Sequence, residues 1–201
     1  MEMFGEHKFE LTQLDNICNF IDYRGKTPEK SSFGIPLITA KNVKNNAFSI
    51  YPVEYIPEEN YRKIMTRGIP NINDVLFTTE APLGHVCRIP NLYPIFCIGQ
   101  RIITLQPNKD KLNSEYLEYA LLTNAFKSQL TKHTSGSTAK GIKSKLLKKL
   151  TILLPPLPLQ QQFAAFVEKV DKSKFIVGNR LAGRLYRNLL TKLSLSEADY
   201  D

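Results

Sequence analysis

Three closely spaced prolines, Pro155, Pro156 and Pro158, divide the sequence into two unlike parts. Proline fixes its φ angle and lacks an amide donor, so neither a central strand nor a helix interior passes through such a run. Turn residues and short β-type runs fill the part before the prolines, whereas residues 159–193 contain no proline. We therefore predict a domain over 1–155, a long helix within 156–195 and an acidic tail over 196–201.

The first part predicts a β-rich domain with few helices. Short runs rich in Ile, Val, Thr, Phe or Tyr, bounded by Gly, Pro or Asn, are typical of strands. An amphipathic helix is predicted over 113–130, capped by Asn113 or Ser114, and a short helix over 143–149. The fold class is α+β, followed by one long helix of the coiled-coil type. The predicted strands are 35–41, 48–56, 74–79, 85–89, 93–98 and 101–106, with another strand-like run in "LTILL" before the prolines.

Residues 159–193 carry apolar residues at steps that are mainly three, four or seven, which indicates a helical seam. A helix over this segment would be about 50 Å long. Because a domain of this size covers only part of such a stripe, we predict that the helix pairs with a second long helix. The alternative is a C-terminal helix that folds back on its own domain. The seam residues are Phe163, Phe166, Val170, Val177, Leu181, Leu185 and Leu189.

The charge balance favours a polyanionic partner. The formal net charge is +8 and the pI is about 9.3, which suits nucleic acid, although a soluble basic protein without such a partner has the same balance. No run of about 18 apolar residues occurs, and the first residues do not resemble a signal peptide. We expect a cytoplasmic protein with no membrane contact, whose three cysteines are reduced and buried.

The segment "GSTAKGIKS", residues 136–144, approaches the phosphate-binding pattern G-x-x-x-x-G-K-[ST] but has Ile142 inserted before the lysine. The preceding residues predict a helix rather than the buried strand that a P-loop follows, so we reject a nucleotide site. Glycines, hydroxyl residues and lysines without an acidic neighbour suit a clamp on a nucleic-acid backbone. The competing interpretation is a solvated basic helix face.

No catalytic constellation is found in the sequence. It lacks a methyltransferase [ND]-P-P-[YF] motif, a G-x-S-x-G elbow, an H-E-x-x-H pair and a nuclease pattern of an aspartate followed by [DE]-x-K. Asp74 and Glu80 flank a strand-like run, where we expect solvated carboxylates. Gln100 and Arg101 stand beside a glycine at a strand's edge, where Gln100 suits a contact to adenine and Arg101 a contact to guanine. An equally good interpretation is that Arg101 only stabilises a turn. We predict no catalytic residue and no metal site.

These features occur in an order that resembles the DNA-specificity (S) subunit of type I restriction–modification systems. The resemblance covers nearly the whole chain. Its segments are "LTQLDNICNFIDYRGKTP" (11–28), "GIPLITAKNVKN" (34–45), "DVLFTTEAPLGHVCRI" (74–89), "CIGQRIITLQP" (97–107), "SGSTAKGIKSKLLKKLTILLPPLPLQQQF" (135–163) and the long helix.

The resemblance implies a non-catalytic subunit of a bacterial or archaeal cytoplasmic complex. In this family two target-recognition domains, each followed by a long helix, read the two halves of a split DNA target. Modification subunits then methylate adenine with S-adenosylmethionine, and a restriction (motor) subunit uses ATP and Mg; this chain would bind no cofactor itself. The chain departs from the plan in having one domain and one helix, so we expect a half-subunit or fragment that forms a homodimer. The family's "PPLPEQ" stands here as "PPLPLQ", residues 155–160.

The residues predicted to contact double-stranded DNA are polar and basic residues, mostly within the segments that carry the family resemblance. A competing hypothesis is an interaction protein that docks on modification subunits and no longer reads DNA. A third is a stand-alone nuclease or methyltransferase, which the missing motifs oppose. The predicted DNA-contacting residues are Arg24, Lys26, Lys41, Thr79, Arg88, Gln100, Arg101, Ser135, Ser137, Thr138, Lys140 and Lys143.

Overall fold

The computed structural model describes residues 9–25, 27–134 and 141–177; for 134 and 171–177 it describes the backbone alone. Strands and helices are mixed along the chain, as the α+β prediction requires. The strands are β1 (Leu11–Gln13), β2 (Cys18–Asp22), β3 (Ile35–Ile38), β4 (Val43–Lys44), β5 (Ala47–Phe48), β6 (Glu54–Ile56), β7 (Val75–Thr78), β8 (Val86–Arg88), β9 (Cys97–Ile98), β10 (Ile102–Pro107) and β11 (Thr151–Leu153). The α-helices are α1 (Tyr61–Ile64), α2 (Ser114–Ala120), α3 (Asn124–Thr134), α4 (Ser144–Leu147) and α5 (Leu157–Val177).

A four-stranded antiparallel sheet in the order β2-β10-β7-β8 forms the centre of the domain. All four residues of β7 are buried, because both faces of the sheet are covered. Side chains alternate between the faces: Val75 and Phe77 point into one hydrophobic cluster and Leu76 into the other. A strand buried on both faces needs a continuous apolar run, which explains the sequence "VLFT".

One face of the central sheet packs against the helices α2, α3 and α5, and the other against smaller sheets. On the second face β3 pairs with β6 antiparallel and with β9 parallel. The hairpin β4–β5 lies beside β8, where the Asn46 amide donates to the Val86 carbonyl at 2.9 Å. The two faces are called below the helical face and the strand face. The three cysteines are free and buried, as predicted.

The predicted helix over 113–130 is wrong in one respect, since it is two helices. Asn113 caps α2 as predicted, accepting hydrogen bonds from the amides of Glu115 and Tyr116. A second cap, Thr123, interrupts the run: its hydroxyl donates to Ala120 O at 2.8 Å and accepts from Phe126 N at 3.2 Å. A threonine that satisfies one of the first amides of a new helix lets the chain change direction there.

Other boundaries also differ from the sequence predictions. The run 48–56 is not one strand, because Asn42 Nδ2 donates to both Ser49 O and Pro52 O at 3.0 Å and holds the chain between β5 and β6 in a loop. Strand β2 was not predicted; its polar Asn19 is bonded across to Gln106 at 2.9 Å. Asp74, expected in solvent, is only 4% exposed and accepts from the Asn71 amide and the Gln106 side chain.

The C-terminal helix begins at Leu157, within the predicted unit 156–195 and two residues before the apolar seam that starts at 159. Pro158 fits in the first turn, where a missing amide costs no hydrogen bond. The first half of α5 packs on its own domain, where Phe163 is 1% exposed and belongs to the hydrophobic cluster of the helical face. This seam residue therefore covers the domain rather than a second helix, which corrects that part of the pairing prediction. The seam residue Val170 is 9% exposed. Phe166 is half-buried; Val177 ends the described helix, and Leu181, Leu185 and Leu189 lie outside the described residues.

Candidate nucleic-acid interface

An open groove of about 620 Å³ lies on the strand face. Its floor includes Leu37 and Ala40 of the core, and its walls come from the segments around β3, β4, β6 and the β9–β10 turn. The charged and amide-bearing residues of its lining are Lys30, Lys41, Lys44, Glu54, Gln100 and Arg101. Cations outnumber acids in this set, so the groove presents a positive surface to a polyanion.

Two lysines of the groove share one carboxylate. Glu54 Oε2 forms an ion pair with Lys30 Nζ at 2.7 Å, and Glu54 Oε1 accepts a hydrogen bond from Lys41 Nζ at 3.0 Å. The close Lys30 ammonium, with help from Lys41 and against the opposing effect of burial, lowers the pKa of Glu54 from its ordinary value. The lysine side chains remain more than half exposed. Both ammonium groups are thus held at the groove while they still face solvent.

Local turns place the groove's side chains. Asn42 is 4% exposed and accepts from the Thr39 amide at 2.9 Å, which fixes the turn that carries Lys41. Gly99 allows a close approach of two chain segments, because its amide bonds Ile38 O at 2.7 Å and an added Cβ would lie 3.1 Å from that oxygen. This approach puts the next residue, Gln100, beside the β3 segment.

Gln100 and Arg101, predicted as base readers, both line the groove. The amide oxygen of Gln100 accepts a hydrogen bond from the Thr27 hydroxyl at 3.0 Å. This bond fixes the orientation of the Gln100 amide group. Arg101 is exposed, and within the described part of the chain its guanidinium has no hydrogen-bond partner. Its backbone carbonyl accepts from the Thr79 amide at 3.0 Å. The main chain of Arg101 therefore holds a turn while its side chain stays available.

Arg24 has internal partners instead. Its guanidinium forms hydrogen bonds of 2.6–3.1 Å to the Asp22 carboxylate and donates to Ile142 O at 2.8 Å. Partial burial alone would raise the pKa of Asp22, but the hydrogen bonds from Arg24 outweigh it and the pKa is lowered. The contacts of Arg24 tie the 141–142 segment to the end of β2. The role of Arg24 is therefore structural.

Arg88 is directed away from the groove toward α2. Its Nε lies 2.7 Å from Glu118 Oε2 and its Nη2 lies 3.0 Å from Glu115 Oε1. Burial raises the pKa of Glu118, and the bond from Arg88 only partly offsets this. Thr79 is 1% exposed and its hydroxyl donates to Arg101 O. We therefore remove Thr79, because it is buried, and Arg24 and Arg88, because they are committed to carboxylates, from the set of DNA-contacting residues.

Ile142, the residue that interrupts the P-loop pattern, is a core residue. It is 3% exposed, and its amide donates to Thr79 O at 2.9 Å. Gly141 forms a β-bridge with Glu80, and an added Cβ would lie 3.1 Å from Thr79 O. Lys143 follows as an exposed residue before α4. Lys26, Ser135, Ser137, Thr138 and Lys140 lie outside the described residues.

Sequence reasoning missed three groove residues, Lys30, Lys44 and Tyr51. Tyr51 is 77% exposed, so its ring is open to solvent at the groove. The signal for Lys44 was the hairpin "VKNNAF", in which Asn46 has a positive φ of 55°. In the described ranges, no group of three or more His, Cys, Asp or Glu could hold a metal ion, and no helix has the length and apolarity to cross a membrane.

The fold of the described domain matches solved type I R-M proteins. One match, a chain from a structural study of complex assembly and conformational transition of the type I R-M system, has a TM-score of 0.61 at 21% identity, covering 94% of this chain and 44% of that one. The HsdS subunit from Thermoanaerobacter tengcongensis matches with a TM-score of 0.53 at 20% identity and the same coverages.

Sequence comparison then gives the family. The chain belongs to the family of the type I restriction modification DNA specificity domain, whose model matches residues 6–182. It is 27% identical over 169 residues to the putative type I restriction enzyme MjaX specificity subunit of Methanocaldococcus jannaschii, covering 81% of this chain and 36% of that protein. It is 25% identical over 167 residues to the type I restriction enzyme EcoBI specificity subunit of Escherichia coli, with coverages of 82% and 31%.

These comparisons confirm the predicted family and the prediction of a specificity subunit rather than an enzyme. The chain spans about a third of the length of these two curated relatives. The role in DNA-target specificity follows at the level of the family.

Proposed function

We propose that this chain reads one half of a bipartite double-stranded DNA target through the groove on the strand face. The observation that carries the proposal is that Lys41 and the neighbouring residues Gln100 and Arg101, which lie far from Lys41 in sequence, converge on one exposed cationic groove. The same groove carries Lys30 and Lys44, so it combines groups for phosphates with groups for base edges.

The groove's side chains suit the two kinds of DNA contact. Arg101 has a planar guanidinium without a hydrogen-bond partner among the described residues, and it can donate two hydrogen bonds to guanine O6 and N7. The amide of Gln100 suits adenine. Lysine ammonium groups such as that of Lys44 contact phosphates without regard to sequence. Tyr51 at the rim offers a flat apolar face to sugar or base. Binding should therefore be both sequence-dependent and salt-dependent.

In the proposed complex this chain supplies recognition, and modification subunits methylate adenine within the target. S-adenosylmethionine, ATP and Mg are expected on the modification and restriction subunits. To test recognition, the chain is expressed in cells with its modification subunit and the methylated adenines are mapped. Methylation at one recurrent bipartite sequence supports the proposal. Association with the modification subunit without methylation favours the docking protein that no longer reads DNA.

Two copies of the chain, paired through their long helices, are proposed to read an inverted-repeat target. The support is the apolar spacing that continues through Leu181 and Leu185, beyond the turns of α5 that cover the domain. A twofold pair would place two identical grooves on one duplex. Sedimentation velocity should show a dimer at micromolar concentration and a monomer for Leu181→Glu or Leu185→Glu, since either change buries an unpaired charge. A strictly monomeric wild type would contradict this part of the proposal.

A further inference from the structure

The side chain of Gln160, in the first turns of α5, is fully buried and has all its hydrogen-bonding groups engaged. It is 0% exposed. Its Nε2 donates to Pro155 O at 2.7 Å and to Lys111 O at 2.9 Å, and its Oε1 accepts from the Asn113 amide at 2.8 Å. A primary amide offers two N–H donors and a carbonyl acceptor, so each kind of group has a protein partner here.

The partners of Gln160 belong to two different parts of the domain. Asn113 is the residue that caps α2, and Lys111 lies in the loop that leads to it. Pro155 lies in the segment between β11 and α5. The Gln160 amide therefore connects the start of α5 to the start of α2 and to the chain that enters α5.

Apolar packing follows one turn later along α5. Phe163 makes edge-to-face contacts with Tyr116 and Tyr119, whose ring centroids lie 5.7 and 5.5 Å away. Val167 and Val170 continue this buried stripe. Such contacts hold the helix to the domain but are not strongly directional, whereas a hydrogen bond weakens steeply when its angle changes. Gln160 therefore adds angle-dependent hydrogen bonds at the base of α5 to this apolar packing.

We propose that Gln160 is a positioning residue that sets the direction in which α5 leaves the domain, and with it the separation of two reading grooves on DNA. This inference rests on the proposed pairing of two chains. Helix α5 has 21 residues, so it is about 30 Å long, and a tilt of about 10° at its base moves its far end by about 5 Å. That displacement exceeds the roughly 3.4 Å between successive nucleotides of one strand. Loss of the Gln160 hydrogen bonds should therefore allow methylation at targets with other numbers of base pairs between the half-sites.

The test compares Gln160→Met with Gln129→Met as a matched control. Gln129 also holds backbone with its amide, accepting from the Thr151 amide and donating to Thr151 O, both at 3.0 Å, but within the domain. Methylated sites are sorted by the number of base pairs between their half-sites. Gln160→Met should lower the ratio of native to neighbouring spacings by about tenfold. Gln129→Met should keep that ratio even if total methylation falls; an unchanged ratio in Gln160→Met overturns the proposal.

A second measurement separates this inference from the proposed function. Nitroxide labels at Lys109→Cys and Ala165→Cys, both exposed positions, report the distance between the domain and α5, and the three native cysteines are buried. The labelled full-length chain is diluted with unlabelled chain. Gln160→Met should broaden the distance distribution, and an unbroadened distribution overturns the inference. If the wild type methylates no bipartite site, the proposed function fails while the label distances still decide the role of Gln160.

Gln160→Glu is a second variant of nearly the same shape. Its carboxylate keeps an acceptor for the Asn113 amide but faces the carbonyls of Lys111 and Pro155 without a donor. We expect a broad label distribution at pH 10, where the carboxylate is charged. Because burial raises a carboxyl pKa, lowering the pH to 5 should protonate the group, restore one donor and narrow the distribution. A distribution as narrow as the wild type's at pH 10 would contradict the positioning role.

Discussion

The helical face and the strand face of the central sheet use their charged side chains in opposite ways. On the helical face Arg88 is bound to two carboxylates of α2, and its loss should affect folding. On the strand face Arg101 lines an open groove, with no partner for its guanidinium in the part of the chain that the structure describes. The comparison shows that an arginine's partners, rather than its presence in a family motif, indicate whether it is available to DNA.

The largest effect expected on the helical face is that of Phe163→Ala. The side chain is buried among Tyr116, Tyr119 and the core, so truncation should lower the free energy of unfolding by about 3–5 kcal/mol. Urea unfolding followed by circular dichroism measures it. Phe166→Ala, one turn away and half-buried, is the control and should cost clearly less. Equal losses would mean that α5 does not pack on the domain through Phe163.

Arg88→Met should also act on stability. It leaves the Glu118 side chain, only 5% exposed, without its closest cation, and the expected loss near pH 7 is about 2–4 kcal/mol, reduced by the partial exposure of Arg88. Arg101→Met is the control and should change stability by less than about 0.5 kcal/mol. A similar loss in both variants would remove the contrast between the two faces.

The stability loss in Arg88→Met should depend on pH. Burial already raises the pKa of Glu118, and removal of the guanidinium raises it further. A carboxyl whose pKa is higher in the folded chain binds its proton more tightly there, so its contribution favours folding below the unfolded pKa and is lost as pH rises toward the folded value. The difference between variant and wild type should therefore be smaller at pH 5 than at pH 8. Unfolding curves at both values check this.

On the strand face, Arg101→Ala should act on DNA binding and not on folding. If its guanidinium reads a guanine, affinity for the specific target should fall roughly 5- to 150-fold, with little change for unrelated DNA. Fluorescence anisotropy with both duplexes measures this, on the target that methylation mapping defines. Arg62→Ala, at an exposed position of α1 outside the groove lining, is the control. Equal weakening on both duplexes would make Arg101 a phosphate contact.

The smallest effects are expected for single lysines. Lys44→Ala or Lys143→Ala should weaken binding a few-fold on all sequences alike and lower the slope of log affinity against log salt by about one. Lys63→Ala on α1 serves as the control. An unchanged salt slope for Lys143→Ala would assign the 141–149 segment a structural role only.

Many of the strands could be predicted because strands carry a local signature. The runs around β3, β7, β8, β9 and β10 were found from β-branched residues between turn residues. The split of helix 113–130 was not predicted, because the helical spacing continues across Thr123 and only the cap bonds of its hydroxyl reveal the break. Strand β2 was missed because its pairing with β10 compensates for polar Asn19 and Asp22.

The candidate site was predicted only in part. Residue type suggested Lys41, Gln100 and Arg101, yet the same reasoning also selected Arg24, Arg88 and Thr79. A charged side chain looks alike in sequence whether it meets solvent or a carboxylate. The guanidinium of Arg24 has two partners: Asp22, two positions away, and the carbonyl of Ile142, 118 positions away. No local sequence pattern indicates the second partner.

By itself the sequence determined the family, the β-rich domain before the prolines and the helix after them, because these depend on ordered motifs and on local backbone chemistry. The tertiary structure decided which cations face the groove and which hold the core. It also decided that Ile142 fills the core and that Gln160 joins α5 to α2. Burial and long-range hydrogen bonds are properties of the packed chain, since they depend on which distant residues meet.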